Sequence, residues 1–408
     1  MRKLNLLTAG LLALATFGCH QLDMGESSLD EKQASAIADF YDFSWKGQMY
    51  RQSCYYAEGA IDDQVLYTVG QLNGDNSVGR LDQLKVSNVE TEATDSGCFI
   101  TYDATLPVAW GNSFNVPETY EFILPRDMSK TGIENFVDAY TARCLDWGAH
   151  DVTPGVFWYY YRPENGRCEL NEEDIVRLPV SVTPSADSTE GMYPEYHKVW
   201  EDGVLNVVAI FGKAKEDGSQ SDVGVRGYGE FVRQVKQELR DSELTLKPVD
   251  MPERPGLDEP FVQVRGTLRD GKEVVVSAFL IEKVTNAPSE FWVEYERLTE
   301  TADYIVYNGH SGLGQNVRAL ARRGTWVEGQ YAILFLNGCD TYAYIDSSVL
   351  DAHADVNEDD DTGTRYLDIV ANAMPSYFRS MPQATMAIMR GLLSYDDPMT
   401  YEEILKEI

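Results

Sequence analysis

Two hydrophobic runs joined by one helical stretch constrain this chain more than any other feature. Residues 303–314 read Asp-Tyr-Ile-Val-Tyr-Asn-Gly-His-Ser-Gly-Leu-Gly, and residues 331–341 read Tyr-Ala-Ile-Leu-Phe-Leu-Asn-Gly-Cys-Asp-Thr. Each run is rich in β-branched, aromatic and aliphatic residues and stops at a small-residue turn, which is how a buried parallel strand reads. Between them, Val317, Leu320 and Ala321 fall at helical spacing and Gly324 supplies a stop. A strand, a helix and a strand in this order predict a right-handed βαβ unit. The C-terminal ends of the two strands then lie side by side, at the edge where open α/β sheets carry functional groups. His310 ends the first strand and Cys339 the second. A thiol beside an imidazole ionises near neutral pH and becomes a nucleophile. The competing reading makes Cys339 a small buried residue and His310 a polar loop residue.

The cysteine arithmetic bears on the same pair. Six cysteines are present, Cys19, Cys54, Cys98, Cys144, Cys168 and Cys339. With Cys19 set aside as described below, Cys54, Cys98, Cys144 and Cys168 form an even set, open to three pairings into two disulfides. Cys339 is left over and is expected to be a reactive thiol.

The N-terminus reads as a targeting segment. Arg2 and Lys3 precede an apolar stretch over residues 4–17 that is too short to span a bilayer, and Gly18-Cys19 follows. The segment resembles a bacterial lipoprotein signal, with Thr16 and Phe17 departing from the usual residues. The resemblance implies cleavage before Cys19, lipidation of Cys19 and a membrane anchor through it. Position 20 is His rather than Asp, which points to the outer membrane, facing the periplasm or the cell surface. The formal charge of −32 is spread along the chain. It argues against a nucleic-acid partner, which needs a basic face, and suits cationic partners.

A chain of 408 residues exceeds one ordinary core. Residues 1–18 are the signal and residues 19–37 a polar, acidic tether. Residues 38–179 are rich in Tyr, Val and Thr and predict a β-rich accessory domain of α+β type, stapled by disulfides. Strands are expected near residues 98–110, 119–124 and 156–161, and a helix over 129–140 with Thr131 as its cap. His150 and Asp151 read as a solvated loop pair. Residues 180–203 read as a linker. Residues 204–408 predict an α/β domain whose mostly parallel sheet is flanked by helices. Its strands are residues 204–211, 244–246, a hairpin over 261–281, and the two runs above. Helices are expected at 229–239, 290–298, 366–374, 385–393 and 400–407, the last opened by a capping box from Thr400 and Glu403.

The motifs in this domain resemble the caspase-like cysteine peptidases: caspases, metacaspases, gingipains, clostripain and separases. Tyr307-Asn-Gly-His-Ser-Gly312 is similar to the metacaspase turn that carries the His, and Leu334-Phe-Leu-Asn-Gly-Cys339 to the strand leading into the nucleophile. Ser311 follows the His, with the Gly displaced to Gly312. The resemblance covers residues 204–408. It implies a caspase-like layout, with the Phe261–Ile281 hairpin as an insertion or an altered second strand. It also implies an endopeptidase that works through a His310/Cys339 dyad and a thioester, acting on a peptide or protein substrate. The oxyanion would be held by the backbone amides of Cys339 and of Gly312 or Ser311. Asp340 or Asp346 would select a basic side chain in the substrate pocket. No cofactor is required, although calcium is considered for residues 351–361. There Asp355, Asn357, Asp359 and Asp361 set oxygen ligands on alternate residues. The loop lacks the Gly and Glu of an EF-hand.

Two other readings compete. Gly309-His-Ser-Gly-Leu-Gly314 approaches a serine nucleophile elbow at Ser311, with Leu313 where a Gly belongs and only His353 left to serve as the downstream base. Alternatively, the protein is a non-catalytic surface binding lipoprotein with a degenerate peptidase domain.

Overall fold

The computed structural model describes residues 38–111, 116–149, 152–186 and 191–406. The signal segment, Cys19, the tether, and the His150/Asp151 pair lie outside the described residues.

The first half of the chain builds an antiparallel sheet from β1 (Asp39–Arg51), β2 (Ser77–Gly79), β3 (Lys85–Thr94), β4 (Gly97–Trp110), β5 (Thr119–Pro125) and β6 (Ile175–Pro184). The order is β2-β4-β1-β6-β5, with β3 also paired to β4. Helices α1 (Ala57–Gly74), α2 (Lys130–Tyr140) and the single turn α3 (Phe157–Tyr160) accompany it. In α1, buried Ile61, Val65, Thr68 and Leu72 follow helical spacing, so this helix was readable in the sequence although it was not among those expected. Ser129, not Thr131, caps α2, its hydroxyl accepting from the Gly132 amide at 3.0 Å. Residues 156–161 form no strand. Phe157 to Tyr160 are all buried as a helical turn, where a strand would put alternate rings in water. Disulfides Cys54–Cys98 and Cys144–Cys168 decide among the three pairings.

The span expected as a linker begins inside β6, which runs to Pro184, and contains the short helix α4 (Tyr196–Val199). The second half then contributes β7 (Val204–Gly212), α5 (Val223–Glu238), β8 (Glu243–Lys247), β9 (Phe261–Thr267), β10 (Glu273–Ile281), α6 (Ser289–Thr299), β11 (Tyr304–Asn308), α7 (Gln315–Arg323), β12 (Ala332–Asn337), α8 (Ser347–Ala354), β13 (Leu367–Ala371), α9 (Met381–Leu393) and α10 (Tyr401–Leu405). Its seven-stranded sheet has the order β13-β12-β11-β7-β10-β9-β8.

This corrects the expected caspase-like fold class. The first sheet is antiparallel and the second is mixed: β13, β12, β11, β7 and β10 pair in parallel, while β9 and β8 add antiparallel. The cause is the tight turn between β9 and β10, where Leu268 donates to Lys272 O at 2.8 Å and Gly271 takes φ 91°. A turn this short only joins antiparallel strands. Residues 367–371 also form an edge strand rather than a helix, because β12 offers them an open ladder. The capping box of Thr400 and Glu403 is present at α10.

The second sheet is covered on both faces. One face packs on α5 and α9 through Phe231, Val235, Met386 and Leu392, and the other on α6 and α7 through Phe291, Tyr295, Val317 and Leu320. The two halves of the chain meet directly: Ala343 and Tyr344, from the turn after β12, are buried within the first half's hydrophobic core. No helix among the described residues is long and apolar enough to cross a membrane.

Candidate functional site

The site forms where β11 and β12 end together. Asn308 and Asn337 are the last paired residues of the two strands. His310 and Cys339 each follow two residues later, so the parallel register carries both into adjoining turns. The contact is intimate at the backbone. A β-carbon added at Gly338 would stand 2.8 Å from Gly309 O and 3.3 Å from Ser311 N. Only glycine allows the Cys turn to close against the His turn in this way. The Gly309 amide also donates to Asn337 O at 3.3 Å.

Buried amides tie the strand ends to their surroundings. Asn337 Nδ2 donates to Asn308 Oδ1 at 2.8 Å, and Thr385 Oγ1 donates to the same oxygen at 3.0 Å. Asn337 Oδ1 accepts from Asn372 Nδ2 at 3.0 Å and from Ser376 Oγ at 2.8 Å. Such a network holds the turns in one arrangement, because each broken bond would strand a buried polar group.

His310 is held from three sides. Its Nε2 lies 3.0 Å from Ala214 O, a carbonyl that only accepts, so Nε2 carries the proton in the neutral ring and Nδ1 takes the acceptor role. Its backbone carbonyl accepts from Tyr307 Oη at 2.8 Å and Asn316 Nδ2 at 2.7 Å. Phe378 packs edge-on against the ring at 5.0 Å. Ala214 is placed in turn by Asp222, whose carboxylate caps α5 and also accepts from the Ala214 and Lys215 amides at 3.0 and 3.1 Å. Neither group was singled out from the sequence. A backbone carbonyl carries no residue-specific signal, whereas an Asp directly before a helix does.

Cys339 is 2% exposed, with Sγ 3.5 Å from Ser376 O. The expectation of a leftover free thiol is corrected: none of the described cysteines is free, and Cys339 is itself disulfide-bonded. Gly312, Leu313 and Gly314 take φ of 59°, 51° and 86°, a left-handed run that turns the chain from the His turn into α7.

The expected pocket carboxylates do not line a cleft together. Asp340 is fully buried and faces the first half of the chain, where Tyr159 Oη donates to its Oδ2 at 2.8 Å. Burial first of all pushes its carboxyl up to about 6, opposed by Tyr159, Arg162 and Asn73. Asp346 caps α8 through the Ser348 amide at 3.0 Å and lies 3.8 Å from the Arg318 guanidinium.

Nor do Asp355, Asn357, Asp359 and Asp361 converge. Asn357 turns inward, accepting from the Gly329 amide at 2.7 Å and donating to His353 O at 2.8 Å. Asp359 pairs with Arg365 and accepts from Tyr366 Oη at 3.0 Å. Among the described residues no cluster of three His, Cys, Asp or Glu side chains is gathered for a metal.

The serine reading also loses its base. Ser311 is 4% exposed, and His353 is buried against Trp326 with neither ring nitrogen hydrogen-bonded among the described residues. Burial holds the His353 imidazole down at about 4.

Comparison with protein families, with curated proteins and with solved structures gives no match.

Proposed function

We propose that the protein is a cysteine-type endopeptidase in which Cys339 is the nucleophile and His310 the acid–base group. One observation carries this reading: His310 and Cys339 end adjacent parallel strands in turns that touch at Gly338 and Gly309, with the His310 ring oriented by Ala214 O. The resemblance of both turns to those of the caspase-like peptidases supports it.

Turnover begins once the Cys339 disulfide is reduced, for example by a dithiol that leaves as its own disulfide. His310 Nδ1 accepts the thiol proton, and the thiolate adds to the scissile carbonyl. The tetrahedral oxyanion is held by backbone amides of the two turns, those of Cys339 and of Gly312 or Ser311. Collapse breaks the C–N bond, and His310 gives its proton to the departing amine, leaving a thioester on Cys339. Water, deprotonated by His310, then adds to the thioester and releases the acid and the thiol. The orienting bond from Nε2 to Ala214 O keeps the same tautomer through both half-reactions.

The two disulfides of the first half support an oxidising compartment, in keeping with export to the cell envelope.

The test is hydrolysis of a fluorogenic peptide library varied at the residue before the scissile bond, with and without a dithiol. Thiol-dependent cleavage should vanish in Cys339→Ala and in His310→Ala, with circular dichroism unchanged. Cleavage retained in Cys339→Ala removes the assignment. Silence of the reduced protein on every peptide, with Cys339 alkylated at an ordinary rate, favours the non-catalytic binding protein.

A further inference from the structure

The first half of the chain reaches the residue next to Cys339. Asp340 sits in the left-handed region at φ 51°, a conformation that non-glycine residues adopt only when their surroundings hold them there. Four bonds hold it. Its amide donates to Met374 O at 3.3 Å, and its carbonyl accepts from the Ala343 amide at 3.0 Å. Its Oδ2 accepts from Tyr159 Oη at 2.8 Å and Asn73 Nδ2 at 3.3 Å, both from the first half.

The residues that follow are anchored in the same place. The Tyr342 ring lies 5.8 Å from Phe40 and 5.5 Å from the Arg80 guanidinium, and Ala343 and Tyr344 belong to the first half's core. Asp340 Oδ1 has no hydrogen bond among the described residues. A buried carboxylate with one oxygen unsatisfied is an unfavourable way to fill space, and an apolar side chain would pack there at lower cost. The side chain therefore does something besides packing.

We propose that Asp340 is a positioning residue through which Tyr159 and Asn73 set the orientation, and hence the reactivity, of the Cys339 side chain. The first half is on this view part of the site rather than an accessory to it. The consequence for turnover rests on the peptidase reading; the consequence for thiol reactivity does not.

The experiment uses the full chain, mildly reduced, and follows iodoacetamide labelling of the Cys339 peptide by mass spectrometry in wild type, Tyr159→Phe and Asn73→Ala. Loss of the Tyr159 bond to a charged acceptor should slow labelling about tenfold. It should lower kcat by a similar factor with KM unchanged, since the substrate is not touched. The acidic limb of the labelling profile should also move to higher pH in Tyr159→Phe, because the lost bond favours the ionised carboxylate. The charged and titratable groups facing Asp340 are Tyr159, Tyr344 and Arg162, with Asn73 as the other donor. Labelling rates and profiles unchanged in both folded variants overturn the proposal. Should Tyr159→Phe not fold, the unchanged or slowed labelling of Asn73→Ala decides it. Slowed labelling in a protein that cleaves no peptide leaves the positioning role standing and removes the peptidase.

Discussion

Asp222 joins stability and chemistry in one side chain, and Asp222→Ala tests both. The carboxylate is 8% exposed and accepts four backbone amides: Gly224 at 2.8 Å, Val225 at 3.2 Å, Ala214 at 3.0 Å and Lys215 at 3.1 Å. Removing the cap from α5 costs about 1 kcal/mol. Each of the two loop amides left without its acceptor adds about 1 kcal/mol. The sum, about 3 kcal/mol, lowers the urea midpoint by about 1.5 M at a slope of about 2 kcal/mol per M. Asp222→Asn keeps one acceptor oxygen for Ala214, Gly224 and Val225 and loses the Lys215 bond, so about 0.5 M is expected. The transition is followed by tryptophan fluorescence. A midpoint within about 0.3 M of wild type for Asp222→Ala refutes the reasoning, since about 3 kcal/mol exceeds that several-fold. The same variant loosens Ala214 O, the partner of His310 Nε2. Turnover should fall about tenfold in solutions where the variant remains folded, and wild-type kcat there breaks the proposed link from cap to imidazole.

Further outcomes follow from the packing and from the buried charge. In Gly338→Ala the new β-carbon meets Gly309 O at 2.8 Å, so the turns must part. About 1–3 kcal/mol of stability should go, together with thiol-dependent turnover, and a wild-type melting temperature would show that the turns do not touch. Burial, reinforced by Asp202 and Glu201, raises the Asp303 carboxyl to about 8. Its folded value lies above the unfolded one, so its contribution is fully present below pH about 4 and is lost as pH rises through about 8. Asp303→Asn should flatten that slope, read as urea midpoints at pH 5 and pH 8.5, and an unchanged slope contradicts the assignment. Replacing both Cys54 and Cys98 by Ala opens a link that spans 44 residues. About 4 kcal/mol is expected from the chain entropy released to the unfolded state, and an unchanged denaturation midpoint in the oxidised protein counts against it.

How much of this was legible beforehand depended on the range of the physics involved. Runs of consecutive apolar residues reveal buried strands locally, so β7, β11 and β12 stood out, and with them the placement of His310 and Cys339 at neighbouring strand ends. The β9–β10 turn and the Thr400/Glu403 capping box are equally local, because a few adjacent residues satisfy each other's backbone groups. Other features were settled only by contacts between distant segments. Residues 157–160 carry a strand-like composition, yet all four rings are buried, Phe157 against Tyr67 of α1 and Phe136 of α2 and Tyr159 toward Asp340 of the second half, as a strand could not bury them. Residues 367–371 carry a helix-like pattern, yet the exposed ladder of β12 takes them as an edge strand. Asp340 follows the cysteine in sequence as a pocket residue would, but its backbone conformation turns the carboxylate away toward Tyr159 and Asn73.

The sequence by itself therefore determined which segments are strands and turns around the site, and which two reactive residues end them. The tertiary structure alone decided the pairing of Cys54 with Cys98 and of Cys144 with Cys168, the bonded state of Cys339, the mixed character of the second sheet and the direction of each carboxylate. The physical reason is that periodicity and capping are energies of neighbours along the chain. Disulfide partners, ladder partners and side-chain directions are chosen by residues tens to hundreds of positions away.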